Sequence, residues 1–98
     1  MKVDLTKVMT NMDGQAFQQD GEALTLKDVV IMTLIAPLDQ EEQKKMTADK
    51  AVKRWRLAMD CHANNEVDIE VDMVKELRDR IPKFYSVLVA GQACEILK

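Results

Sequence analysis

Histidine occurs once, cysteine twice, proline twice and glycine three times in these 98 residues, and each scarcity closes a class of function. His62, Cys61 and Cys94 are three potential metal ligands with no paired spacing such as C-x-x-C or H-x-x-x-H, which argues against zinc. Two cysteines make no disulfide framework, so the chain reads as a protein of a reducing compartment with both thiols free. Only 4% of residues are aromatic, and none stands among the cations of the middle segment, so a base-stacking platform is not in view. Apolar runs are short. The longest, Val29 to Leu38, is broken by Thr33 and Pro37 and falls well below the roughly 18–20 residues that span a bilayer. The start, Met1 to Thr6, lacks the apolar core of a signal peptide, and a cytoplasmic location is expected.

What is present is the composition of one folded domain. Hydrophobic residues make up 47% and charged residues 32%, with a net charge of −3 and a pI near 5.1. A domain of about 100 residues holds one core. The acidic balance argues against a protein built chiefly to hold nucleic acid or an anionic membrane.

The pattern along the chain predicts an α+β fold, mostly α, with a β-hairpin region over residues 1–24 packed on about four helices over residues 25–98. Asp13-Gly14 is a two-residue turn signal. Val8, Thr10 and Met12 alternate before it and Gln15, Phe17 and Gln19 after it, which would lay Val8, Met12 and Phe17 on the body. Asp20-Gly21 is a second turn that leads to the first helix. Thr25, with Asp28 three residues on, is a capping box, and Leu24 with Val29 is a hydrophobic staple. The helix from Leu26 to Ile35 is apolar on nearly every side, as a central core helix would be, and Pro37 ends it.

Asp39 and Glu42 open a longer helix to about His62, with Thr47 as a candidate break. Ala48, Ala51, Val52, Trp55, Ala58, Met59 and His62 recur at helical spacing and predict an inward stripe. Asp49–Lys53 and Glu41–Lys45 are supporting pairs. Val67 and Ile69 alternate with acids and predict a short strand joining the hairpin. A helix to about Arg80 follows, with Met73, Val74, Leu77 and Ile81 inward and Glu76–Arg80 and Lys75–Asp79 paired outside. Pro82 is expected to end or kink it. A largely buried last helix from about Lys83 carries Phe84, Val87, Leu88, Ala90, Gly91, Cys94 and Leu97.

Candidate chemistry is thin. Cys61 and His62 adjoin Asp60, but consecutive helical residues point about 100° apart and cannot address each other. Glu66, Asp68, Glu70 and Asp72 alternate without the glycine of a calcium loop, and read as a solvated strand edge running into a helix N-terminus. No catalytic residue, metal or cofactor is predicted, and the chain is not expected to be an enzyme. Trp55 and Met59 read first as core. The sharper reading makes them a partner interface, because tryptophan anchors interfaces and methionine re-packs readily. Gly91 would let another helix approach closely. Lys50, Lys53 and Arg54 are the only candidates for nucleic-acid contact.

The segments Leu24 to Val30, Val67 to Ile69 and Val87 to Leu97, with the Asp-Gly hairpin before them, resemble a family of small uncharacterised proteins of tailed bacteriophages and prophages. The likeness covers most of the chain, with Glu41 to Lys50 the most individual part. It transfers no residue roles. It implies a phage gene product acting in the bacterial host cytoplasm or during virion assembly. The function it suggests is a non-enzymatic accessory protein that binds another protein, a host protein being the candidate target, with self-association as a further option. A tail-assembly-chaperone-like factor and a DNA-binding regulator using the basic middle helix are the alternatives.

Overall fold

The computed structural model describes residues 1–98, in the order β1 (Lys2–Asp4), β2 (Gln18–Gln19), β3 (Glu22–Ala23), α1 (Leu26–Ile35), α2 (Gln40–Lys45), α3 (Ala48–Ala63), β4 (Glu66–Asp68), α4 (Val71–Phe84) and α5 (Val87–Ile96). The fold is α+β and mostly α, as the sequence pattern predicts. Nineteen buried apolar residues, from β1, the flanking Leu5, Met9 and Leu24, every helix except α2, and β4 with its surroundings, form a single cluster, so the hairpin region and the helices share one core.

Around Asp13-Gly14 the expected hairpin forms only as a single antiparallel bridge, Thr10 to Ala16, and the tight two-residue loop lies at the second turn. Asp20 (φ 51°) and Gly21 (φ 82°) both take positive φ and join β2 to β3 with Gln18 opposite Ala23 and Gln19 opposite Glu22. These are the two central positions of a tight hairpin loop. At Asp13-Gly14 only Gly14 is positive. There the Asn11 side chain organises the loop, accepting from the backbone N–H groups of Asp13 and Gln15 at 3.0 Å each. Three segments then close a ring: Met9 N–H donates to Leu24, Leu24 to Phe17 and Phe17 to Met9, each at 2.8 Å. This ring turns Met9 inward, where it is 1% exposed. Side chains alternate along an extended segment, so of the expected inward face Val8 and Met12 lie outside, at 42% and 90%, while Phe17 packs against the core as expected.

β4 joins the N-terminal region as expected, pairing antiparallel with β1 and not with β2 or β3, with Val3 opposite Val67. Both valines point inward, while Asp4, Glu66 and Asp68 stay in solvent. The acidic run is thus the outer edge of a two-stranded sheet leading into α4, whose first turn holds Asp72.

α1 has the predicted limits. The Thr25 hydroxyl accepts from Asp28 N–H, and the Asp28 carboxylate accepts in return from Thr25 N–H at 3.1 Å. Leu24 and Val29 are both buried. It is not buried on all sides, however, since Met32 and Ile35 are 50% and 58% exposed. α2 carries the Asp39–Glu42 capping box and has no buried residue. Thr47 breaks the segment by capping α3, its hydroxyl accepting from Lys50 N–H at 3.2 Å.

α4 continues past Arg80, with Pro82 inside it. The expected stop therefore moves to Tyr85, and α5 begins after Ser86. α5 buries Val89, Ala90, Ala93 and the following Leu97, but leaves Val87 89% exposed. Arg80 is the largest departure. Expected outside with Glu76, it is 4% exposed, and none of the predicted (i, i+4) pairs forms an ion pair.

Arg80 reaches across to the end of α1. Its Nη1 donates to the carbonyl of Thr33, and its Nη2 donates to Ala36 at 3.3 Å and Pro37 at 3.2 Å. The same guanidinium grips both Glu42 carboxylate oxygens, Nη2 to Oε1 at 3.1 Å and Nε to Oε2. The Phe84 ring covers it at 4.8 Å. α1 has no basic residue in its own last turn, so α4 supplies the cation that satisfies its terminal carbonyls and its dipole.

Candidate functional site

α3 is amphipathic, and its apolar stripe faces solvent. The side packed on the body carries Arg54, Leu57, Ala58 and Cys61, at successive helical turns, with Ala58 and Cys61 buried. Of the seven residues expected inward, only Ala58 is buried; Val52 is 42% exposed, Trp55 59% and Met59 51%, and Ala48, Ala51 and His62 are also exposed. The physical reason is a competition for the inner face. Ala58 and Cys61 close on α1 and the core, and the Arg54 stem lies against α4, where its Nε meets Glu76 Oε2 at 3.4 Å. Trp55 is therefore a surface residue and not core.

α1 extends this apolar surface. Lys27 near the start of α1 bonds Asn65 just beyond α3 at 3.1 Å, and Met32 and His62 line one shallow cleft with Ile31 and Tyr85. Thr33 and Leu34, further along α1, border the same void as Arg54. The two helices thus run antiparallel. Ile35 lies one turn beyond Met32, and Met59 and Trp55 lie one and two turns before His62. Exposed Met32 and Ile35 on α1 lie on the helix packed beside Val52, Trp55 and Met59 on α3. Periodicity singled out the α3 half of this surface. It missed Met32 and Ile35 because an all-apolar helix gives no signal for which side faces out.

The cations expected to act together are divided. Lys50 and Arg54, one turn apart, line a cleft of about 190 Å³ between α2, α3 and α4, with Lys45, Glu76, Asp79, Arg80 and Lys83. Lys53 opens onto a different cleft, with Arg56, Asp60, Asp68 and Glu70. The three acids interrupt any continuous basic track along the helix. Arg80 sets the electrostatics of the first cleft by engaging Glu42. Its hydrogen bonds hold the Glu42 carboxyl down to about 2, against the opposing effect of burial, with help from Asp39 N–H and the charge of Lys83.

Comparison with protein-family models, curated proteins and solved structures found no match. A Cβ placed on Gly91 would meet nothing within 4 Å, so no helix of this chain approaches there and the glycine sits in an open part of α5. Cys61 is fully buried, and burial pushes its thiol up to about 11, with the negative Asp60 acting in the same direction. His62 is exposed while Cys61 is buried, so the two point to different surroundings. No group of three or more His, Cys, Asp or Glu side chains is placed to hold a metal ion. No helix is long and apolar enough to cross a membrane.

Proposed function

We propose that this chain is a non-enzymatic binding protein, of the small phage accessory kind its sequence resembles, and that it acts by docking another protein on the α1–α3 face. The observation that carries this reading is the exposure of Trp55, at 59%, together with Val52, Met59, Met32 and Ile35 on two helices packed side by side. Single exposed apolar residues need no explanation, whereas a patch of large ones does. Tryptophan and methionine are also the side chains best suited to anchoring and re-packing. A partner of matching chemistry offers an apolar helix face or groove.

The test is paired affinity capture from nuclease-treated lysate of infected host cells, using the parent protein and a Trp55→Lys, Met59→Lys variant. A stoichiometric protein recovered by the parent and lost by the variant supports docking on this face. A phage structural protein as that partner would favour an assembly role over action on the host. Equal recovery by both proteins, or recovery of none, sinks the reading.

A further inference from the structure

The cleft between α2, α3 and α4 lies away from the apolar face, and its chemistry is of a different kind. Lys45 ends α2 and has no carboxylate within ion-pair distance. Lys50 has none either, its ammonium resting 3.4 Å from the Lys45 carbonyl. Arg54 is only partly satisfied. Its side chain is 14% exposed, its single ion pair through Nε is long at 3.4 Å, and its Nη1 is buried with no acceptor. A buried guanidinium nitrogen without a partner is costly, and a charged oxygen acceptor removes that cost. Lys83 also lines the cleft, paired with Asp39 at 3.4 Å and Glu42 at 3.9 Å.

Carboxylates line the cleft too. Glu42 is taken up by Arg80, and Glu76 by Arg54 Nε; Asp79 alone has no ion-pair partner. Because Lys83 is also held by Asp39, five cations meet four carboxylates and the cleft keeps one positive charge, carried by the unpaired Lys45 and Lys50, in a chain whose net charge is −3.

From this arrangement we propose that the cleft is an anion site for a small phosphate-bearing molecule. Lys45 and Lys50 would meet the phosphate oxygens, and the Arg54 fork would tip outward to supply the bidentate contact. A guanidinium fork presents two parallel N–H groups to two oxygens, and lysines add point charge. The inference does not depend on the docking proposal. A nucleic acid is the weaker occupant, because it needs a track of cations, and Lys53 and Arg56 look instead into the cleft that holds Asp60, Asp68 and Glu70.

The test is an NMR titration at low ionic strength with inorganic phosphate, pyrophosphate and a mononucleotide, against chloride at matched ionic strength and a short DNA duplex. Saturable shifts at Lys45, Lys50 and Arg54 are expected with one or more of the phosphate compounds, and which compound binds tightest identifies the source of the phosphate. The Lys45→Ala, Lys50→Ala double variant removes two exposed, unpaired side chains and should fold as the parent does. Its affinity should fall about tenfold or more, while Lys53→Ala binds unchanged. Shifts that never saturate, chloride reproducing them, or a double variant binding like the parent would each overturn the site. So would tight binding of the duplex that Lys53→Ala weakens equally, since that is the signature of a nucleic-acid surface.

Discussion

The thiol of Cys94 stands 3.8 Å from the carbonyl oxygen of Arg78, the acceptor that Pro82 leaves without its helical donor. Residue 82 would ordinarily give its N–H to residue 78, and proline has none to give. A weak S–H donor from α5 takes the vacant place. That contact joins α4 to α5 at the one carbonyl the proline leaves open.

Replacing Pro82 by Ala should therefore stabilise the protein, because an N–H returns to the Arg78 carbonyl and the ring clash is removed. Pro82 is two residues from the end of α4, so the gain should fall below the roughly 3 kcal/mol of a mid-helix proline, at about 1 kcal/mol. Urea unfolding monitored by circular dichroism reads it. A lower midpoint for the variant would mean that the proline is well accommodated and acts mainly by restricting the unfolded chain.

Arg80 joins α1, α2 and α4 through one guanidinium, and Arg80→Met should be among the most damaging single changes. It strands Glu42 and three carbonyl oxygens, and breaking a buried pair by removing one partner costs about 3–5 kcal/mol. Glu42→Gln is milder, at about 1.5–3 kcal/mol, since the carbonyl acceptors remain. The pH dependence has a definite sign. Glu42 in the folded protein titrates at about 2, below its ordinary 4.5. Its stabilising contribution is fully present above pH 4.5 and is lost as pH falls toward 2. Denaturant midpoints measured across that window should drop for the parent and drop less for Glu42→Gln.

The parts of this fold that were legible in the sequence are those decided within a few residues. Thr25 with Asp28, Asp39 with Glu42, and Thr47 fix helix starts by satisfying orphan N–H groups locally, and each does so in the structure. Where distant residues decide, the local signal misleads. Pro82 reads as a stop from its own ring and missing N–H, whereas the donor that meets the Arg78 carbonyl comes from Cys94 on α5. Arg80 reads as a surface cation because Glu42 and the end of α1 are about 40 residues away. The α3 stripe is a genuine amphipathic pattern, but periodicity reports a contrast between two faces and not which one meets the core. Of the candidate sites, Trp55, Met59, Lys50 and Arg54 were legible by residue type. Met32, Ile35 and the split between Lys50 and Lys53 needed the packing.

The two thiols should separate cleanly in reactivity. Cys61 is fully buried and its thiol is pushed up to about 11, so the thiolate that reacts is both scarce and enclosed. Cys94 is partly exposed, with its thiol also raised by burial. Native protein at mildly alkaline pH should take up one equivalent of a thiol reagent slowly, at Cys94, while Cys61 reacts only at the rate of opening. Peptide mapping of the first modified residue checks this, and labelling of Cys61 ahead of Cys94 would contradict the packing of α3.

Trp55 is the sole tryptophan, so intrinsic fluorescence reports on the proposed docking face alone. In the free protein its 59% exposure predicts red-shifted emission that acrylamide quenches readily. A substitution to Lys should shift folding stability by no more than about 0.5 kcal/mol, as for other surface sites outside the core. Self-association on this face would turn emission blue and protect it from quenching as protein concentration rises, and Met59→Lys would reverse both changes. Emission that is blue and shielded at every concentration, unchanged by Met59→Lys, would place Trp55 in the interior and remove the α1–α3 face as a binding surface. The readout is worth taking before any partner is sought, because it tests the exposure on which the docking proposal stands.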